Sequence, residues 1–269
     1  MKFFEQQYYE ALNSVLKDGL MRPNRSTGET LTMQDPAQFV INLPIEGLPL
    51  LRGKRMFPKK PLVEAVWILS GRNDIAFLNK HGVNYWNLFD KGDGTIGNSY
   101  GPRIRNFEGV DQLTTLIDNI KNNKYSRRLD LTFTHPAITD GITPCYSYLQ
   151  FRVIAGYINL YVTQRSGDAF LGVPNDVLVF SYILGFVAYM TGYFVGSIYY
   201  TVNDFHIYAN HLDPVSKYFK QYSYDFTQYN GDNPNIDDTL QTIIDLNFDI
   251  VYNFDKYISN PFIKAEVTV

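Results

Sequence analysis

At 269 residues, with 45% hydrophobic and 19% charged residues, the chain has the length and balance of a folded globular protein with a sizeable core, not of a disordered one. A formal net charge of −3 leaves no basic excess for a nucleic-acid surface. One cysteine excludes an internal disulfide framework, and the opening residues lack the apolar run of a secretory leader, so a reducing cytoplasmic compartment is expected.

Residues 5–16 place Leu12, Val15 and Leu16 on one face of a helix, which Asp18 and Gly19 end. Residues 22–28 read as a polar loop, and residues 39–43 as a strand stopped by Pro44. A helix is expected over 61–69 with Pro61 in its first turn, a turn-rich loop over 92–97, and a further helix over 110–122. Strands follow at 129–134, 148–154 and 157–163, the last two joined as a hairpin through Ala155 and Gly156.

From 177 to 203 no charged residue occurs, and the segment is long enough to span a bilayer. It is interrupted by small and polar residues, lacks flanking Lys/Arg clusters and stands alone. A buried core helix that breaks near Gly192 and continues as a strand is therefore expected, with no membrane. The Asn/Asp-rich stretch 228–238 reads as a surface loop. With no repeat or linker, residues 1–269 are expected to form one α/β (α+β) domain of sheet and packed helices.

Cys145 is either a buried small hydrophobe or a nucleophile. Arg165 follows twenty residues later with Ser166 and Asp168, and a thiolate needs such positive charge nearby. The runs Pro144-Cys145, Gln164-Arg165-Ser166-x-Asp168-x-Phe170-Leu171-Gly172-x-Pro174 and Asp204-x-His206-x-Tyr208-x-Asn210-His211 together resemble the thymidylate synthase superfamily. Arg25, Glu64, Trp86, Tyr100-Gly101, Arg127-Arg128 and Ile263-Lys264-Ala265 fall in the same order, so the resemblance covers nearly the whole chain.

That resemblance implies a large mixed sheet flanked by helices, in a homodimer whose sheets pack back to back. It also implies one-carbon transfer from 5,10-methylenetetrahydrofolate to C5 of a pyrimidine nucleotide. Cys145 would add to C6, which turns C5 into a carbon nucleophile. Glu64 would organise water and move protons, with Tyr100 beside it. Arg165, Ser166 and Arg25 would clamp the phosphate, joined by Arg127 and Arg128 from the second subunit. His206 and Tyr208 would face the sugar, and Asp168 the pterin. Trp86, Tyr85, Ile142 and Gly172 would line the folate site, with Lys54 and the terminal Val269. No metal is implied: His81, His135, His206 and His211 lack ligand spacing.

Three positions depart from the synthase pattern. Where synthases carry Phe-Asn after Leu-Gly-x-Pro, this chain has Asn175-Asp176. An amide suits uracil, whereas a carboxyl accepts from the cytosine amino group and, when protonated, donates to N3. Asp at this position resembles the deoxycytidylate hydroxymethylase branch, in which water rather than hydride completes the reaction. As a structural role, Asp176 would cap the helix that follows. Tyr146 stands where synthases usually have His, and Phe89 where they have a second tryptophan. The expected reaction is therefore dCMP 5-hydroxymethylation. A dUMP-methylating thymidylate synthase, a CMP 5-hydroxymethylase and a silent nucleotide-binding homologue stand as alternatives. Hydroxymethylcytosine synthesis would suit a bacteriophage that modifies its DNA, acting in the host cytoplasm.

Overall fold

The structure is a computed structural model that describes residues 2–24, 28–136, 140–222, 233, 235, 236 and 259–267. Arg25 and Val269 lie outside the described residues. In chain order the first elements are α1 (Phe4–Asp18), β1 (Leu20–Asn24), β2 (Gly28–Thr32), β3 (Ala37–Asn42), α2 (Leu43–Glu46), α3 (Lys59–Leu69) and α4 (Ile75–Lys80). Next come α5 (Tyr100–Arg105), α6 (Gln112–Asn122), β4 (Asp130–Thr132), β5 (Tyr146–Ile154), β6 (Tyr157–Gln164) and β7 (Gly167–Asp168). The last are α7 (Gly172–Thr191), β8 (Phe194–Val202), β9 (Phe205–Tyr208) and α8 (Leu212–Gln221).

Two mixed sheets result, flanked by helices, as the resemblance implies. One runs β3-β8-β6-β5-β4, the other β1-β2-β9-β7. Within them β6 and β8 are parallel, linked by the crossover helix α7, and β7 is parallel to β9. Their ends meet where β6 leads into β7 and β8 into β9, so residues 164–168 and 202–208 sit at one corner. That corner holds the site described below.

Apolar burial explains the layers. Tyr8, Leu12 and Val15 of α1 are fully buried at helical spacing, whereas Leu16, expected on the same face, is exposed at the helix's edge. The buried amide of Phe4 at the start of α1 donates to Glu46 Oε2 at 2.9 Å, so a residue of α2 satisfies a helix-end donor. The uncharged segment is indeed core: α7 buries Val177 through Leu184 against α3 and the five-stranded sheet, and each buried Val, Leu, Ile or Phe is worth roughly 1.5–3 kcal/mol. Gly192 ends α7 with φ 76°, a left-handed cap open to glycine. Ala155 and Gly156 (φ 50° and 85°) make the tight hairpin between β5 and β6.

Several expectations are corrected. Residues 22–24 belong to β1 and Gly28 to its antiparallel partner β2, not to a loop; β1 is exposed from Leu20 to Pro23, so it carries no apolar alternation to read. The strand at 129–134 is β4 over Asp130–Thr132, and its bonding to β5 continues at both ends, from Phe151 N–H to the Leu129 carbonyl at 2.7 Å and from Phe133 N–H to the Ser147 carbonyl at 2.9 Å. Asp176 does not cap α7, because the helix starts four residues earlier at Gly172. Of the stretch expected as a surface loop at 228–238, three residues are described, and Ile236 among them is buried.

Candidate active site

A cavity of roughly 1320 Å³ opens at the sheet corner, ample for a nucleotide and a second ligand together. Cys145 lies at its floor, one residue before β5. The chain there is pinned from two sides. Arg165 N–H donates to the Cys145 carbonyl at 2.8 Å, and Cys145 N–H donates to the Tyr100 hydroxyl at 2.9 Å. The cysteine is neither sealed nor fully exposed.

Burial pushes the Cys145 thiol up; Arg165 pulls it down, Asp176 adds to the rise, and the net displacement is upward. The lowering expected of Arg165 is present, and burial outweighs it. The Arg165 guanidinium also has local work, donating from Nε to the Pro144 carbonyl at 3.1 Å and from Nη2 to the Thr143 carbonyl at 2.9 Å.

Glu64 comes from α3 and is buried in the cavity wall. Oε2 accepts from the Tyr85 hydroxyl at 2.6 Å and from Trp86 Nε1 at 3.0 Å. Burial raises its pKa despite these donors. Tyr85 and Trp86 therefore serve Glu64 as well as lining the cavity.

Asp176 projects from α7 into the same space. Gln164, at the end of β6, donates from Nε2 to Asp176 Oδ2 and to the Ser166 carbonyl, both at 2.9 Å. Gln164 Oε1 in turn accepts from the Tyr200 hydroxyl at 2.8 Å, which fixes which end of the amide faces the acid. Burial, with the nearby charges of Glu64 and Asp168, pushes the Asp176 carboxyl up to about 7, against the pull of Gln164. The neighbouring Asn175 amide donates to the carbonyl of Leu171, the residue before α7, at 2.7 Å.

The opposite wall is charged. Asp168 Oδ1 accepts from Phe170 N–H at 2.9 Å and lies 3.4 Å from His211 Nδ1. Burial raises Asp168, but His211, Phe170 and His206 outweigh it and hold the carboxyl below its ordinary range. Buried His211 meets the Glu266 carbonyl through Nε2 at 2.6 Å, which ties the C-terminal segment to this wall. Lys54 donates to the Phe170 carbonyl and lies 3.7 Å over the Phe170 ring; burial lowers its pKa to about 7. His206 and Tyr208 also line the cavity, with Asp204 and Arg22 beside them.

The thymidylate synthase family model matches residues 6–269. The chain belongs to the thymidylate synthase family. A thymidylate synthase of Mycoplasma mobile is 30% identical over an alignment that covers 98% of this chain and 100% of that protein. Membership brings the family's chemistry: a transferase of nucleotide biosynthesis, with methylenetetrahydrofolate as co-substrate and a nucleoside monophosphate as acceptor.

In this family member the cavity gathers Cys145, Glu64, Asp176, Tyr100, Arg165, Ser166, Asp168, His206 and Tyr208. Trp86, Tyr85, Ile142, Gly172 and Lys54 line it too. Arg127 and Arg128 are exposed and do not line this chain's own cavity. Among the described residues no three of His, Cys, Asp and Glu gather as a metal cluster. Sequence reasoning gave no role to Gln164, His211 or Arg22. Gln164 was legible as the neighbour of Arg165, but its bond to Asp176 depends on how β6 meets α7. His211 was within the third motif, and only the fold brings it to Asp168.

Proposed function

We propose that the chain is a deoxycytidylate 5-hydroxymethyltransferase that uses methylenetetrahydrofolate and water and releases tetrahydrofolate. The observation that carries this reading is Asp176, a buried carboxyl in the cavity raised to about 7 and aimed by Gln164. A neutral carboxylic acid offers one acceptor and one donor side by side. Those match the N4 amino hydrogen and the N3 lone pair of cytosine.

In this reading Arg165 and Ser166 hold the phosphate, with Arg25 and the partner's Arg127 and Arg128 completing the clamp. His206 and Tyr208 face the sugar. Cys145 gives up its proton as the base settles, its sulfur bonds to C6, and C5 attacks the one-carbon unit of the folate. Glu64, with Tyr100 nearby, relays the protons of the addition. Trp86, Tyr85, Ile142, Gly172, Asp168 and Lys54 face the folate, joined by Val269.

One catalytic domain, 1–269, acts as a homodimer in this reading, and the lone thiol suits the cytoplasm. The outer face of the five-stranded sheet supports the pairing: Val40, Ile154, Tyr157 and Tyr199 are exposed there, and Tyr161 stacks on Tyr199 at 4.7 Å. Exposure of Arg127 and Arg128 away from their own cavity agrees with service in a neighbour.

A second reading, methylation of dUMP, is favoured by the relative in Mycoplasma mobile, which is named a thymidylate synthase. A neutral acid at Asp176 can serve uracil as well, accepting from N3–H and donating to O4. Incubation with methylenetetrahydrofolate and either nucleotide separates the two. Product from dCMP with an added CH2O mass supports the first reading. Methylated dUMP with dihydrofolate formation, and no reaction of dCMP, overturns it.

A further inference from the structure

Glu5, in the first turn of α1, is 7% exposed and is not among the residues that line the cavity. Its Oε1 accepts from Gly53 N–H at 2.7 Å and from the Tyr218 hydroxyl at 3.2 Å, and both its oxygens lie 2.9 Å from Arg52 N–H. Burying a carboxyl is costly, and an apolar residue would pack α1 here without that cost. Two of the three donors are backbone amides, so what the acid fixes is the path of the chain at residues 52 and 53. Tyr218, a fully buried residue of α8, bears on the same place: a Cβ at Gly53 would lie 2.4 Å from its ring, so only glycine passes there.

That short stretch leads to the cavity wall in two ways. Its next residue is Lys54, which lines the cavity and donates to the Phe170 carbonyl. Its carbonyls hold the C-terminal segment. The Arg52 carbonyl accepts from Asn260 N–H at 2.6 Å, and the Gly53 carbonyl accepts from Gln221 Nε2 at 3.1 Å. Gln221 in turn receives Asn260 Nδ2 on its own carbonyl at 2.6 Å. Just beyond Asn260, Phe262, Ile263 and Ala265 line the cavity. Glu5 thus stands behind both the lysine and the C-terminal part of that wall. Arg165 and Asp176 are carried by other elements, at the end of β6 and on α7.

We propose that Glu5 is a positioning residue for the folate side of the cavity. By holding residues 52 and 53 it sets where Lys54 and the segment from Asn260 onward stand, and it touches neither ligand. The inference rests on the reading that Lys54 faces the folate. It goes beyond that reading by assigning the placement of the wall to a residue outside the cavity.

The test compares wild type with Glu5→Gln, and with Lys54→Met as a control, using whichever of dCMP and dUMP turns over. The readouts are the KM for methylenetetrahydrofolate and nucleotide affinity by calorimetric titration. Glu5→Gln replaces one acceptor with an NH2 donor beside an amide that also donates. Its KM for methylenetetrahydrofolate should rise about 5- to 10-fold, with nucleotide affinity within about 2-fold of wild type. Glu5→Asp keeps a buried carboxyl and shortens its reach; it should shift the same constant in the same direction, and it serves if the amide variant does not fold. A lower melting temperature with an unchanged KM would make Glu5 a purely structural group and overturn the proposal. Equal losses for folate and nucleotide would overturn it too. A raised KM in Lys54→Met beside an unchanged KM in the Glu5 variants sinks the proposal alone. An unchanged KM in Lys54→Met, or a wild type that turns over neither nucleotide, sinks the reading beneath it as well.

Discussion

Gln164 donates its amide to Asp176 Oδ2 at 2.9 Å, so the carboxyl that reaches the cavity is aimed by a strand rather than by its own helix. Tyr200 anchors the other end of that amide. Any account of base recognition in this protein has to treat the three side chains as a unit.

Replacing Asp176 by Asn keeps an oxygen for Gln164 but fixes an amide at the base edge. Specificity should move from dCMP toward dUMP, by at least about 100-fold in the ratio of kcat/KM, since sites built on one hydrogen-bond pattern discriminate by up to ~10⁴–10⁵. Steady-state kinetics with both nucleotides check this. An unchanged ratio would remove Asp176 from base selection.

Gln164→Leu preserves bulk and strips both amide ends. The Tyr200 hydroxyl, the Ser166 carbonyl and Asp176 then lose their partner, a loss on the order of 2–5 kcal/mol in urea unfolding, alongside weakened base discrimination. Full stability in the variant would show that water replaces the amide.

The raised carboxyls of Asp176 and Glu46 give stability a sign with pH. Each is pushed from its ordinary value to about 7 by burial, so the folded state prefers the protonated form. Their contribution is complete below the ordinary pKa values near 4 and is lost as pH rises through about 7. Asp176→Asn should therefore be the more stable protein at pH 8, with the gap closing below pH 4. A gap independent of pH would contradict the assigned ionisation.

Cys145→Ser should abolish turnover, by more than about 10³-fold, and leave nucleotide binding near its original strength, because a serine hydroxyl at that site has no thiolate to offer. Calorimetric titration with dCMP and dUMP distinguishes this from a collapsed site, which would lose both properties.

Mixing that serine variant with Arg127→Ala/Arg128→Ala chains tests the shared phosphate site. Each population alone should be inactive. Random re-pairing should recover about a quarter of the wild-type rate, one intact site in half of the dimers. No recovery after verified exchange of subunits would assign the two arginines elsewhere.

The sequence carried most of the fold because its elements obey strong local rules. The α1 face of Leu12 and Val15, the Ala155-Gly156 turn and the Gly192 stop all match the structure. The exposed β1 strand escaped notice because its sheet contact is pairing with β2, which leaves no mark on polarity. In the site, the motif residues around Cys145 and Arg165 were legible by order. The upward push of burial on the thiol was not, because it comes from many directions, whereas Arg165 is the single opposing charge that sequence can name. Nor could the Gln164–Asp176 bond be foreseen, since it joins two elements whose relative placement only the packed core sets.

Helix α7 leaves a final consequence for the newborn chain. Its 20 residues have the length and hydropathy of a bilayer span, yet 72% of its apolar window is enclosed by protein. Its cover includes β8, which the ribosome delivers only afterwards. For that interval the emerging polypeptide displays its stickiest surface, and the race between closure by β8 and capture by a chaperone or a neighbouring chain governs the yield of usable enzyme.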